Sequence, residues 1–159
     1  MLTFSMQPIG FVRSPRTEPV DDDWGGVVGR VALDSERYTG DSLRGLEQFS
    51  HIDVVYVFHR VDRRSFEHGP RRPRNNPDWP AVGVFAQRNK RRPNRIGVST
   101  CELTKLDGTE LTVRGLDAID GTPVLDIKPY MAEFGPRGAV HQPTWSHELM
   151  RRYWEAPLE

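Results

Sequence analysis

Only one cysteine, Cys101, occurs in the 159 residues, which excludes an internal disulfide and any thiolate-cluster metal centre, and no metal site is expected. No apolar run approaches the length of about 20 residues that a membrane-crossing helix needs. Residues 1–10 lack the basic start and apolar centre of a secretory leader, so a cytoplasmic location away from membranes is expected. No Gly-x-Gly-x-x-Gly follows a strand-like run, and strands do not alternate with long helical stretches. A doubly wound dinucleotide-type sheet is thereby excluded. The length suits one domain with one core.

Net charge is absent too, with 22 Lys/Arg against 22 Asp/Glu, but the charges are segregated. Between Arg60 and Arg95 eleven basic residues stand against three acidic ones, a net of plus eight. The rest of the chain is correspondingly acidic, most densely at Asp21-Asp22-Asp23. Such segregation fits a polyanionic partner for one face, because phosphates neutralised by Lys/Arg release counterions. The plainer alternative is a solvated loop that neutralises an acidic patch of a neighbouring subunit.

What is present is mostly short strands. Ile9–Pro15 reads as a first strand ended by Ser14-Pro15, and Val27–Leu33 as a second with a bend at Gly29. Asp41–Ser50 reads as a short helix with Leu43, Leu46 and Phe49 on one face and Asp41 or Ser42 as its cap. Ile52–His59 is β-branched and aromatic throughout, which predicts a strand buried on both sides. His59 closes it in phase with Asp53, Val55 and Val57, where either a structural histidine or a polar residue at a barrel mouth is expected.

Residues 60–80 hold four prolines, which forbid long regular structure; an ordered flap and a linker both fit. Phe66 and Trp79 favour order, or stacking on bases. The next stretch, Gly83–Ser99, is expected to run as a strand at Val82, Val84 and Phe85, turn through Pro93-Asn94, and resume at Ile96. That makes it a cationic hairpin, either a solvated tip or a binding loop. Ile96–Lys105 and Leu111–Ala118 pair around Asp107-Gly108, with a bulge expected at Gly115. Asp120–Pro123 is a tight turn, Val124–Tyr130 a last strand, and Trp145–Trp154 an amphipathic terminal helix. The sum is a mainly β protein, a single antiparallel β-barrel with one short helix and a C-terminal helix.

Three runs are longer and more specific than such patterns. They are Gly83-Val-Phe-Ala-Gln-Arg88 continuing to Arg92-Pro-Asn-Arg-Ile-Gly-Val-Ser99, Leu43-Arg-Gly-Leu-Glu-Gln-Phe-Ser-His51, and Gly115-Leu-Asp-Ala-Ile-Asp-Gly-Thr-Pro-Val-Leu-Asp-Ile-Lys-Pro-Tyr130. Together with Ile9-Gly-x-x-x-Ser-Pro15 they resemble the TsaA/TrmO family of S-adenosylmethionine-dependent tRNA methyltransferases. The resemblance covers roughly residues 7–135, which it implies are a TsaA-like barrel domain, leaving 136–159 as a C-terminal helical tail. It further implies a homodimer with the site near the subunit interface, S-adenosylmethionine as cofactor, and methylation of threonylcarbamoyladenosine beside the tRNA anticodon. A cofactor-binding module without turnover, or a methyltransferase with another acceptor, is the alternative.

Carried across residue by residue, the resemblance puts cofactor contacts at His59, Arg60, Arg88, Val98 and the turn Asp120, Gly121, Thr122, Pro123. Asp22, Asp23 and Trp24 stand where the family tends to show Pro-Arg-Gln. Arg91, Arg92, Asn94 and Arg95 are the expected substrate contacts, with Arg95 in place of the family's second proline and Asn89 in place of its serine. The physical reasons are separate. A guanidinium at Arg88 suits a methionine carboxylate, and a turn with free backbone groups suits adenine. Asp120 or Thr122 would favour the positive sulfonium. The catalytic base is left open between His59 and Asp126. Longer members of the family carry a further C-terminal domain expected to assist tRNA binding, so the acceptor is less defined than the cofactor.

Overall fold

A computed structural model describes residues 2–66 and 68–156; residues 157–159 of the expected tail lie outside the described residues. Six antiparallel strands close into a barrel in the order β1-β2-β5-β4-β3-β6. They are β1 (Gly10–Arg13), β2 (Val28–Leu33), β3 (His51–Val57), β4 (Ile96–Asp107), β5 (Glu110–Arg114) and β6 (Pro123–Pro129). One α-helix, α1 (Thr144–Met150), follows.

Side chains alternate across each strand, so a closed barrel needs only every second residue to be apolar. Val12, Val31, Ile52, Val54, Tyr56, Leu111, Val113 and Val124 point inward and are almost wholly buried. Each such aliphatic side chain contributes about 1.5–3 kcal/mol relative to an exposed position. The outward residues of β3, namely Asp53, Val55 and Val57, are half-buried. The expectation of two buried faces fails for that reason: a barrel has no central strand, and the outer faces of Val55 and Val57 meet partial solvent.

Closure depends on bending. Leu103 pairs with Val113 but Lys105 with Thr112, which leaves Thr104 as an extra residue in β4. Its hydroxyl donates to the Thr112 carbonyl at 3.1 Å. A second shift sits in β6, where Leu125 is extra between Val124 and Asp126 opposite β3. Bulges of this kind tighten the local twist and let a sheet curl. The bulge expected at Gly115 is not there. Gly115 (φ 79°) instead turns the chain out of β5, and the change of phase toward Leu116 and Ala118 follows the strand's end.

Other departures are local. Residues 41–50 form two 3-10 turns, Gly40–Leu43 and Leu46–Gln48, broken by Gly45 at φ 91°. Gly45 in that conformation cannot continue a helix, although Leu43 is buried as the helical reading required. Val84–Ala86 is a 3-10 turn with Phe85 79 % exposed, and Val82 makes a lone bridge to Arg71. No strand forms over 82–87, so the hairpin expected there is not made. Too few alternating apolar residues lie before Gln87 to hold one against the barrel.

The antiparallel order gathers the C-terminal ends of β1, β3 and β5 with the N-terminal ends of β2, β4 and β6. The connections 14–27, 58–95 and 115–122 therefore leave from one end of the barrel. After β6 the tail returns to that end, where Trp79 meets Trp145 at 6.4 Å between centroids and donates its indole N–H to Glu148 at 2.7 Å. Trp79 is thus ordered and mostly buried rather than held out for base stacking.

Candidate functional site

Every residue expected to touch cofactor or substrate lies on those three connections or at the adjoining strand ends. The centre of the arrangement is a carboxylate that sequence reasoning gave no role. Asp117 Oδ1 accepts from the Ser99 hydroxyl and from the Tyr56 hydroxyl (3.1 Å), and Oδ2 accepts from the Tyr153 hydroxyl. Tyr56 and Ser99 also touch at 3.1 Å. Tyr56 comes from β3, Ser99 from β4, Asp117 from the loop after β5 and Tyr153 from the tail.

Arg88 adjoins this cluster. Its Nη2 donates to the Val98 carbonyl at 2.9 Å, one residue before Ser99. Burial, reinforced by the negative charge of Asp117, drives the pKa values of Tyr56 and Tyr153 far above the ordinary tyrosine value, and the Arg88 charge opposes this at both. Both tyrosines therefore keep their protons and act as donors. Behind them Cys101 is pushed up to about 12, by burial first and then by Asp117 and Asp53. Such a thiol is a core residue without nucleophilic character.

The turn 120–123 lies beside this group. Asp120 Oδ1 accepts the Ser14 amide at 3.1 Å, and the Asp120 amide reaches the Arg16 carbonyl at 2.8 Å. Gly121 sits at φ 76° and bonds the Val12 carbonyl at 2.9 Å. A Cβ placed on Gly121 would lie 4.0 Å from His59 Nε2, so the imidazole stands against the turn. Desolvation, then the Arg60 charge, lowers the His59 pKa below its ordinary value. Thr122 is 3 % exposed, and Pro123 opens β6 opposite Phe11.

The loop 14–27 is held partly by itself and partly by the 58–95 connection and the tail. Arg16 stacks over Trp24 at 4.5 Å and donates to the Asp22 carbonyl at 2.7 Å. Asp22 is clasped by Arg74 through two bonds of 2.9 and 2.8 Å, Asp23 meets Arg152 at 3.5 Å, and Trp24 is buried. Arg60 donates to the Thr17 carbonyl at 2.7 Å and to Glu18 at 3.2 Å.

Among the expected substrate contacts, Arg92 donates to the Gln87 carbonyl and Arg95 to the Val61 carbonyl at 2.9 Å. Those two guanidinium groups shape the loop. Arg91 and Asn94 are exposed. Asp126 does not join the cluster: it pairs with Lys128 at 2.8 Å and lines a cleft of about 430 Å³ with Ile9, Leu33, Tyr38 and Leu43. None of the expected cofactor contacts lines that cleft, and the one cation among its lining residues, Arg44, is paired with Asp41. Among the described residues no group of three His, Cys, Asp or Glu is placed to hold a metal, and no helix is long and apolar enough to cross a membrane.

Asp117 carried a faint signal in the sequence, a lone acid between Leu116 and Ala118. Tyr56, inside an apolar run, carried none.

Fold and site together define a class: a closed six-stranded antiparallel barrel with a polar, loop-built site at one end and a tail folded onto it. A profile of the family described as tRNA-methyltransferase O N-terminal domain matches residues 14–135. The chain belongs to that family. It superposes on the crystal structure of TrmO from Pseudomonas aeruginosa with a TM-score of 0.72 and 32% identity, covering 88% of this chain and 61% of that one. It is 39% identical over 140 residues to the tRNA (adenine(37)-N6)-methyltransferase of Escherichia coli, covering 82% of this chain and 59% of that protein. A probable S-adenosyl-L-methionine-binding protein of Pyrococcus abyssi is 38% identical over 145 residues, covering 87% of this chain and 74% of the relative. The matching mammalian methyltransferases are longer, and the chain spans about a quarter of the rat one and 23% of the human one.

Proposed function

We propose that the chain binds S-adenosylmethionine at the loop end of the barrel and transfers its methyl group to N6 of adenosine 37 in tRNA, with threonylcarbamoyladenosine as the form accepted. Relatives named as tRNA (adenine(37)-N6)-methyltransferases and as S-adenosyl-L-methionine-binding proteins support this reading. The observation that carries it is the juxtaposition of Arg88, anchored on the Val98 carbonyl, with the loop that runs from Asp117 to the Asp120–Pro123 turn.

The residues fit the group. Arg88 spends one N–H on Val98, and its remaining donors suit the amino-acid carboxylate. The exposed Val98 and the half-buried Gly121 and Pro123 offer the adenine a surface to pack on, while the Gly121 and Thr122 amides are spent on the Val12 and Ile119 carbonyls and the buried Thr122 supports the turn. When bound, the cofactor supplies an electrophilic sulfonium methyl whose thioether leaving group needs no protonation. The protein's contribution is then mainly orientation, worth up to several powers of ten in rate. His59, held toward its neutral form against the turn, is the candidate to accept a proton from the acceptor nitrogen. Exposed Arg63 and Arg64 on the 58–95 connection give phosphates a cationic face. A homodimer and a cytoplasmic location complete the reading.

Calorimetry with S-adenosylmethionine, followed by methyl transfer to tRNA from a strain lacking the endogenous activity, tests it. Binding by the wild type, weakened more than about tenfold by Arg88→Ala, and product at adenosine 37 are expected. Binding without transfer would reduce the chain to a cofactor-binding module, and unchanged affinity in Arg88→Ala would remove the carboxylate role.

A further inference from the structure

We propose that Asp117 and Tyr153 are positioning residues for Arg88, the carboxylate fixing Ser99 and with it the Val98 carbonyl on which the guanidinium rests; this depends on the role given to Arg88 above.

Asp117 is a half-buried carboxylate between Leu116 and Ala118, which are 2 % and 4 % exposed. Desolvation of an anion is offset only by well-directed donors. Asp117 has three, all hydroxyls: Ser99, Tyr56 and Tyr153. Hydroxyls satisfy the oxygens without neutralising the charge. Arg88 is the nearby cation, and its influence reaches both tyrosines. An apolar residue at 117 would fill the same space, so the anion needs another reason to be there. Its bond to Ser99 supplies one, because it sets the β4 backbone at the residue next to the Arg88 anchor.

Tyr153 brings the C-terminal tail into the same device. Beside it the Asp23, Trp24 and Gly25 amides donate to the carbonyls of Arg152, Tyr153 and Glu155 at 3.1, 2.8 and 3.1 Å. Glu148 holds Trp79 at 2.7 Å. One segment thus pins the 14–27, 58–95 and 115–122 connections together. Its hydroxyl contact with Asp117 is the point where that pinning meets the Arg88 anchor.

A double-mutant cycle on the full chain tests the proposal, with calorimetric affinity for S-adenosylmethionine as the readout and thermal melting as the folding control. Asp117→Asn is expected to weaken binding about tenfold and Tyr153→Phe about threefold, the scale of one charge-assisted and one ordinary hydrogen bond. In the Arg88→Ala background Asp117→Asn should cost less than about twofold, because the group it positions is gone. A loss of equal size in both backgrounds would mean that Asp117 only supports the fold, and the proposal would fall. Wild-type affinity in both single variants, with Arg88→Ala still impaired, would overturn it while leaving the cofactor site standing. No binding by the wild type would remove the site and the proposal together. Should Asp117→Asn fail to fold, Ser99→Ala and Tyr153→Phe complete the same cycle and are read in the same way.

Discussion

The clasp between Asp22 and Arg74 joins the 14–27 connection to the 58–95 connection, and its removal has a calculable cost. Two N–H donors of Arg74 meet the two oxygens of Asp22 at 2.9 and 2.8 Å, and both side chains are 27 % exposed. Unit charges about 4 Å apart attract by about 1 kcal/mol in water and about 4 kcal/mol at the effective dielectric near a protein surface. Partial exposure and lost side-chain freedom reduce this, and fully exposed pairs retain under about 1 kcal/mol. A bidentate, partly buried pair should keep about 1–2 kcal/mol. Arg74 also sits at φ 52°, a strain of about 1 kcal/mol that any non-glycine replacement retains. The cycle of Asp22→Asn, Arg74→Met and both therefore isolates the pair from the backbone. Urea denaturation should give a coupling of about 1 kcal/mol or more, which for a chain of this size is about 2–4 °C in melting temperature. Trypsin should also cut the 58–95 connection faster in each single variant, since local opening exposes it. A coupling below about 0.3 kcal/mol, or one unaltered at about 1 M salt, would refute the reasoning, because a partly solvated ion pair must be screened. If Asp22 served the cofactor instead, Asp22→Asn would weaken S-adenosylmethionine binding independently of Arg74.

Two further outcomes follow from single residues. His59 has a folded-state value below its ordinary 6.5, so as pH falls through 6.5 the unfolded chain takes up the proton first and stability is lost, the loss levelling off below the folded value. His59→Gln should remove that part of the acid destabilisation, visible as a smaller difference in urea midpoint between pH 7 and pH 5; an unchanged difference would contradict the assignment. Gly97 is the other. A Cβ there would come within 2.5 Å of Tyr56 Cε2 and 2.6 Å of its Cζ. Gly97→Ala should therefore displace the Tyr56 ring from the Asp117 cluster and cost about 1–3 kcal/mol in denaturant titration, whereas a neutral effect would show that the ring has room to move.

The strand content and the barrel class were legible in the chain because alternation is a local property. Val12, Val31, Ile52, Val54, Leu111 and Val113 repeat at period two, and Pro or Gly marks most strand ends, which needs no knowledge of partners. The motif runs likewise led to the family, since the residues that build the loop end are contiguous in sequence at 83–99 and 115–130. What alternation cannot encode is the order of the strands. Only the closed order β1-β2-β5-β4-β3-β6 makes β3 one-sided, moves the bulges to Thr104 and Leu125, and carries three remote connections to one end. The Asp117 cluster is the clearest case: Tyr56, Ser99, Asp117 and Tyr153 are up to 97 positions apart, and only folding brings four hydroxyl and carboxylate groups within hydrogen-bonding range. Hydrogen bonds act over about 3 Å, so which polar groups meet is decided by the packed barrel and its returning tail, whereas which residues turn inward is decided residue by residue along the chain.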